Sequence, residues 1–181
     1  MQHHFAVSEI VERKQADYFG QRFGVDLERI PQGPGVCGDY LVMDTSEHTK
    51  ELEERLGYPL EGRRIEFKND MASLKYKSFY VEYEQTSDFW NTRKSSGHDL
   101  AVGMGCVLII SSGPICFVFN ATAFAEFVKG VTRERTTKFR RNGNSPGSYT
   151  RGKIVPLEVA LKTASFVYNM SDKPSFQAIS F

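Results

Sequence analysis

Cysteine is scarce: Cys37, Cys106 and Cys116 are the whole complement of 181 residues, an odd set without a C-x-x-C pair. That excludes a disulfide framework and offers no zinc-knuckle spacing, so buried thiols in a reducing compartment are expected. Tryptophan occurs once, as Trp90, and is expected in core or interface rather than on a base. Long apolar runs are also missing. The greasiest stretch, "GMGCVLIISSGPICFVF", is cut by Ser111, Ser112, Gly113 and Pro114 and reads as a buried hairpin rather than a membrane span. The opening "MQHHFAVSEI" has neither a basic n-region nor a long h-region, so no leader and a cytoplasmic setting are expected. Repeats, linkers and low-complexity segments are absent too, which leaves a single domain over 1–181. "GPGVCG" (33–38) has the glycines of a phosphate loop but not its GK[ST] ending.

What is present suffices for a packed core. Apolar residues make up 40% and aromatics 13%, too many for a disordered chain. The spacing predicts a helix over 8–23, with Ser8 as N-cap and Gly24 as stop, and a strand over 37–44. A polar helix at 45–57, within 45–61, reads as a surface insertion. Strands are expected at 63–68 and 78–85, then a loop over 86–105, and the hairpin strands "CVLIIS" and "ICFVFN". A helix over 120–130 and a short strand followed by a helix from Pro156 end the chain. The class is α/β, a central mixed sheet flanked by helices.

Net charge is only +1, yet it is unevenly spread. Residues 1–128 hold thirteen basic against nineteen acidic residues, whereas 129–153 hold eight basic against Glu134 alone. This basic loop, with Lys138, Arg140, Arg141, Arg151 and Lys153 among stacking rings Phe139 and Tyr149, suits a polyanion, and DNA is the expected partner.

Carboxylates stand out on two strands. In "RRIEFKND" alternation puts Arg64, Glu66, Lys68 and Asp70 on one face and Ile65 and Phe67 on the other. In "FYVEYEQ" it groups Tyr80, Glu82 and Glu84 against Phe79, Val81 and Tyr83. If these strands are neighbours, their carboxylates converge, and Asp39, after Gly38, can join them. Such a cluster is costly unless a cation sits within it, and Mg²⁺ or Mn²⁺ takes this ligand type. Lys68 would add a fixed positive charge. His98 and Asp99 in "SGHD" have no nucleophile motif around them and read as ordinary loop residues.

Asp39 followed by Glu66-Phe67-Lys68 on a later strand resembles the Asp…(Asp/Glu)-x-Lys signature of the PD-(D/E)XK nuclease superfamily. The order helix, three strands, helix, strand is similar to its core. The stretch "FYVEYEQTSDFWNTRKSSGHDLAVGMGCVLII" is similar to a segment of phage nucleases. The resemblance implies a restriction-endonuclease-like core and a Mg²⁺-dependent deoxyribonuclease, phage-encoded as those nucleases are. "CGD" stands where the signature has "PD". Two registers are open. In one, Asp39, Glu66 and Lys68 form the triad, with Glu82 as a further ligand or as a group that supports the ligands from behind. In the other, Glu66 or Asp70 supplies the first acid, Glu84 or Gln85 stands where lysine is expected, and Lys94 brings the charge. Glu12, on the first helix, can also line such sites. A homodimer would suit cutting of both strands. The competing expectation is a non-catalytic protein of the same fold that binds and inhibits a host nucleic-acid enzyme, favoured by the acidic excess of residues 1–128.

Overall fold

Before Gly20 the chain holds neither proline nor glycine, so nothing stops a helix from forming near the start. The computed structural model, which describes residues 2–31, 38–87, 92–94, 105–139 and 148–172, shows α1 at Gln2–Phe23. The helix starts ahead of the expected cap at Ser8 and stops at Gly24, whose φ of +61° suits glycine. The chain continues as β1 (Val25–Arg29), β2 (Tyr40–Thr45), a 3-10 turn (Glu47–Thr49) and α2 (Lys50–Leu56). Next come β3 (Arg64–Asn69), α3 (Ala72–Tyr76), β4 (Ser78–Ser87), β5 (Thr92–Lys94), β6 (Val107–Ser112) and β7 (Ile115–Asn120). It ends as α4 (Ala121–Lys129), β8 (Glu134–Phe139), β9 (Ser148–Pro156), α5 (Leu157–Thr163) and β10 (Phe166–Asn169).

Among the described residues the strands form two sheets. The central one is mixed, six strands in the order β1-β2-β3-β6-β7-β10, and only β3 and β6 run parallel. The second is antiparallel, in the order β5-β4-β9-β8. The protein is α/β with a central mixed sheet flanked by helices. Phe19 and Phe23 of α1 and Leu52 and Leu56 of α2 pack on Ile65, Phe67, Val107 and Ile109 at one face. Phe79, Val81 and Val155 of the second sheet, with Phe124 and Val128 of α4, cover Leu108, Ile110, Phe117 and Phe119 at the other. β6 is therefore buried on both faces, which explains its unbroken apolar run.

Several expectations are corrected. Strands 63–68 and 78–85 are not neighbours but lie in different sheets. The free side of β3 is taken by β6, with Glu66 opposite Leu108, so no edge remains for β4. Residues 45–61 are no surface insertion: Thr49, Leu52, Leu56 and Leu60 are buried, and Asn120 Nδ2 donates to the Leu56 carbonyl at 3.2 Å while Asn120 Oδ1 caps α4. The basic loop of 129–153 is largely the hairpin β8–β9, whose connection 140–147 lies outside the described residues. β4 runs on to Ser87 and β5 occupies 92–94, inside the expected loop 86–105. The last helix ends at Thr163, because Phe166 and Tyr168 extend the sheet and pack on Phe23 with centroids 5.5 and 5.6 Å away.

Leu52→Ala tests the reassignment of 45–61. Loss of a fully buried leucine should cost about 2–5 kcal/mol in urea unfolding, whereas a surface insertion would tolerate the change within about 0.5 kcal/mol.

Candidate metal centre and its cleft

The β2–β3 ladder ends at Tyr40 opposite Ile65, with Asp39 N donating to the Ile65 carbonyl at 2.7 Å. Beyond this point the two strands part, and each carries an amide that the ladder no longer serves. Asp39 Oδ2 accepts the Phe67 N–H at 2.6 Å, and Glu66 Oε2 accepts the Gly38 N–H at 2.8 Å. Each carboxylate thus caps the backbone of the opposite strand. Gly38 is required for this approach: its φ is +86°, and a Cβ there would stand 2.8 Å from the Arg64 Cβ.

This arrangement brings Asp39 and Glu66 side by side. Glu66 is buried and ion-pairs through Oε1 with Lys68 Nζ, two residues along the same strand face. Asp39 Oδ1 receives no hydrogen bond from a described residue. Burial pushes the Asp39 carboxyl up to about 7, and the charge of Glu66 adds to this, with Glu12 of α1 behind it. The Phe67 N–H and Lys68 act in the opposite direction and only partly offset the rise. Burial alone would lower the Lys68 ammonium, but the Glu66 charge and hydrogen bond outweigh it, aided by Asp39 and Glu12, so its pKa is held above the usual lysine value.

Lys68 opens onto a cleft of about 430 Å³ between the two sheets, lined by Asn69, Asp70, Tyr80, Glu82, Leu108 and Ile110 among others. Glu82 enters from the opposite wall. Burial raises its pKa, while the Thr150 hydroxyl and the charge of Lys68 pull the other way. Glu82 therefore faces Lys68 across the cleft and is not a neighbour of Glu66 in one sheet. Asp70 is committed to the backbone: Oδ1 accepts the Ser73 N–H at 3.1 Å and Oδ2 the Tyr80 N–H at 3.0 Å, which ties β3 to the open edge of β4. Glu84, Gln85 and Lys94 lie on the second sheet, Gln85 opposite Lys94, and their side chains are outside the described residues. The structure thus brings together Asp39, Glu66, Lys68 and Glu12, with Glu82 across the gap. Glu12 sits on a half-buried helix position within electrostatic reach of Asp39 and Lys68.

One group was not anticipated. Gln15, fully buried on α1, donates to Ser111 Oγ, which stands 3.1 Å from Asn69 Oδ1 and donates to it. Ser111 also accepts the Asp70 N–H on its carbonyl at 3.0 Å, so α1 and β6 together fix the end of β3 just past Lys68. The signal was a glutamine inside the stripe Gln15, Ala16, Phe19, Phe23.

Among the described residues no cluster of three or more His, Cys, Asp or Glu side chains stands ready for a metal. Asp39 and Glu66 remain a donor pair of the kind a hard cation takes, with water or phosphate completing the shell. On the second sheet, Lys153 Nζ pairs with Glu134 and lies 5.6 Å from the Tyr83 ring centroid, and Arg151 approaches Glu134 at 3.9 Å. The one acid of the basic run is thus used to hold two of its cations. Arg140 and Arg141 lie outside the described residues, as does the side chain of Lys138. Cys106 and Cys116 are buried, and Cys37, His98 and Asp99 fall outside the described residues. No described helix is long and apolar enough to cross a membrane. No protein-family model matches this chain, nor does any curated protein or solved structure.

The Asp39 carboxyl gives a signed pH prediction. Its folded pKa of about 7 lies above the ordinary 3.8, so it contributes stability at acid pH that is lost as pH rises towards the folded value. In chelator, the stability of wild type minus that of Asp39→Asn should fall between these values by at most about 1.4 kcal/mol per pH unit. Above pH 7 the difference should be flat. A difference independent of pH across that window would mean an ordinary carboxylate.

Proposed function

We propose that the protein is a divalent-metal-dependent nuclease that hydrolyses DNA phosphodiester bonds at the Asp39–Glu66–Lys68 site. The observation that carries the reading is a pair of adjacent carboxylates, one with an oxygen that no described residue bonds and a pKa near 7, beside a lysine open to a cleft. The topology adds support: a helix, an antiparallel three-strand meander and a later strand parallel to the third, in the order of the PD-(D/E)XK core. Mg²⁺ or Mn²⁺ bound by Asp39 and Glu66 would supply charge that acidifies water and offsets the negative charge on the scissile phosphate. Asp39 Oδ2 is held by the Phe67 amide, which among the described residues leaves Oδ1 for a ligand. Glu66 is fixed at both oxygens, by Gly38 and Lys68, and so keeps its direction. Lys68 Nζ can donate to a water or a phosphate oxygen without first losing its proton, since its neighbours hold it cationic. Glu82, which lines the same cleft and feels the charge of Lys68, would join as a further ligand or receive a proton or steer a water from the far wall.

The binding-protein alternative draws on one observation: Lys68 is engaged in an ion pair, as a structural lysine would be. Its side chain is nevertheless 46% exposed, which suits a group that meets a ligand. In the nuclease reading the substrate is DNA, gripped through its backbone, and a two-fold homodimer would serve a cut in both strands.

The test combines cleavage with thermal shift. Wild type should convert circular and linear DNA in Mg²⁺ or Mn²⁺ but not in chelator, and Mg²⁺ should raise its Tm. Lys68→Ala should abolish cleavage and keep the Mg²⁺ shift, because an ammonium is no ligand for a hard cation. Glu66→Ala should lose both. If Glu82→Ala and Glu84→Ala kill cleavage while Lys68→Ala is tolerated, the other register is correct. A protein that never cuts nucleic acid with any divalent ion is the binder.

A further inference from the structure

Three of the six large apolar side chains that stand exposed among the described residues fall within one short stretch: Met71, Leu74 and Tyr76, at 60%, 43% and 56%. Their exposure follows from how α3 is fastened. Ser73 is its one buried residue, with its N–H on Asp70 Oδ1 and its hydroxyl shared between the Asp70 carbonyl and Ser112 Oγ, the latter at 2.7 Å. With a helix this short pinned through Ser73, the side chains around it turn outward. Lys75 and Lys77 are exposed beside them, and no acid lies between Asp70 and Glu82. Lys75 Nζ lies 5.3 Å from the Tyr76 ring centroid.

The second observation is the backbone of Lys77. It caps α3 at φ 53°, ψ 33°, and is the one non-glycine residue with positive φ among the described residues. A left-handed cap is ordinarily glycine or asparagine, because a Cβ is strained there. The lysine thus sits against local backbone preference, with its side chain exposed.

The location selects the ligand. Asp70 and Ala72, at the start of α3, line the cleft that Lys68 opens onto. The rest of that site is carboxylate-rich, so a polyanion entering it needs cations at the rim. We infer that α3 is a stacking platform for an unpaired base of a nucleic-acid strand whose backbone enters the Lys68 cleft. Tyr76 offers the exposed ring, and Lys75 and Lys77 meet the flanking phosphates. This rests on the nuclease reading for the fate of the strand, but strand binding itself does not require cleavage. Aromatic stacking on unpaired bases is sequence-tolerant, and a fully paired duplex hides those faces.

The experiment is fluorescence anisotropy in chelator, with a labelled single-stranded oligonucleotide and the same sequence as a blunt duplex, alongside thermal melts. Tyr76→Ala should weaken single-strand binding about 5- to 100-fold, the range that a single base stacked on an aromatic ring supplies, and change duplex binding far less, while Tyr76→Phe restores it. Lys77→Gly should raise Tm by relieving the left-handed lysine and still weaken the single strand several-fold. It should also flatten the log-log salt dependence by about 0.7, the slope that one neutralised phosphate of a single strand accounts for. Unchanged single-strand affinity in Tyr76→Ala overturns the platform whatever Lys77→Gly does, as does a wild type with no affinity for the single strand. A protein that binds through Tyr76 but never cleaves keeps the platform and overturns the nuclease reading. One that cleaves while both variants bind normally does the reverse.

Discussion

Two carboxylates are held together where β2 leaves β3, and much of the site follows from that contact. A sheet whose strands part exposes unpaired amides, and buried amides without partners are costly. Here the amides of Phe67 and Gly38 are satisfied by Asp39 and Glu66 in a reciprocal cap. Small neutral side chains could cap the same amides without placing two like charges in contact. Burial first, and the charge of Glu66 after it, leave an Asp39 carboxyl that resists ionisation up to about pH 7. Among the described residues Lys68 is the cation that acts on Asp39, and it compensates only in part. Two carboxylates on strands, only partly offset by Lys68 among the described residues, are a donor pair that a cation would complete.

The surrounding architecture keeps the contact in place. α1 covers the opposite face of β3 through Phe19 and Phe67, with ring centroids 6.2 Å apart, so the strand cannot turn its carboxylates inward. Gln15 and Ser111 fix the strand end beyond Lys68, and Asp70 ties it to β4. The second sheet then forms the far wall of the cleft. Gly152 belongs to that wall because the Tyr80 ring lies across it, 2.5 Å from where a Cβ would stand. Tyr80 OH in turn reaches Thr150 Oγ1 at 3.0 Å, and Thr150 holds Glu82. Wall and floor of the cleft are therefore joined by hydrogen bonds that pass through named polar side chains rather than by apolar contact alone.

Local patterns in the sequence were legible where one face decides the periodicity. Alternation in "RRIEFK" correctly separates Ile65 and Phe67 from Glu66 and Lys68, and the Gly-Pro break correctly marks the β6–β7 hairpin. Asp39 and Glu66 do meet, although for a different reason than carboxylates on two paired strands 63–68 and 78–85. Pairing partners were not legible, because the edge that β3 offers is filled by β6 from some forty residues later. β1 carries little signal in the sequence, because "VDLER" is short and charged and only Val25 of it is buried. The leucines of α2 were hidden by the acids between them, and the strand character of 166–169 by the helix-like run before it. Gln15 and Glu12 could be placed on a helix by periodicity, but which of them faces the site depends on how that helix crosses the sheet.

The charge state of Asp39 decides most directly whether a cation belongs at this site. A ¹³C NMR titration of its side-chain carboxyl, assigned through Asp39→Asn, should give a midpoint near pH 7 in chelator. Added Mg²⁺ should move that midpoint down by more than a unit, because a cation on the Asp39–Glu66 pair favours the ionised form. A midpoint near 4 in chelator, or one near 7 that Mg²⁺ leaves unmoved, would contradict a cation site at this carboxylate pair.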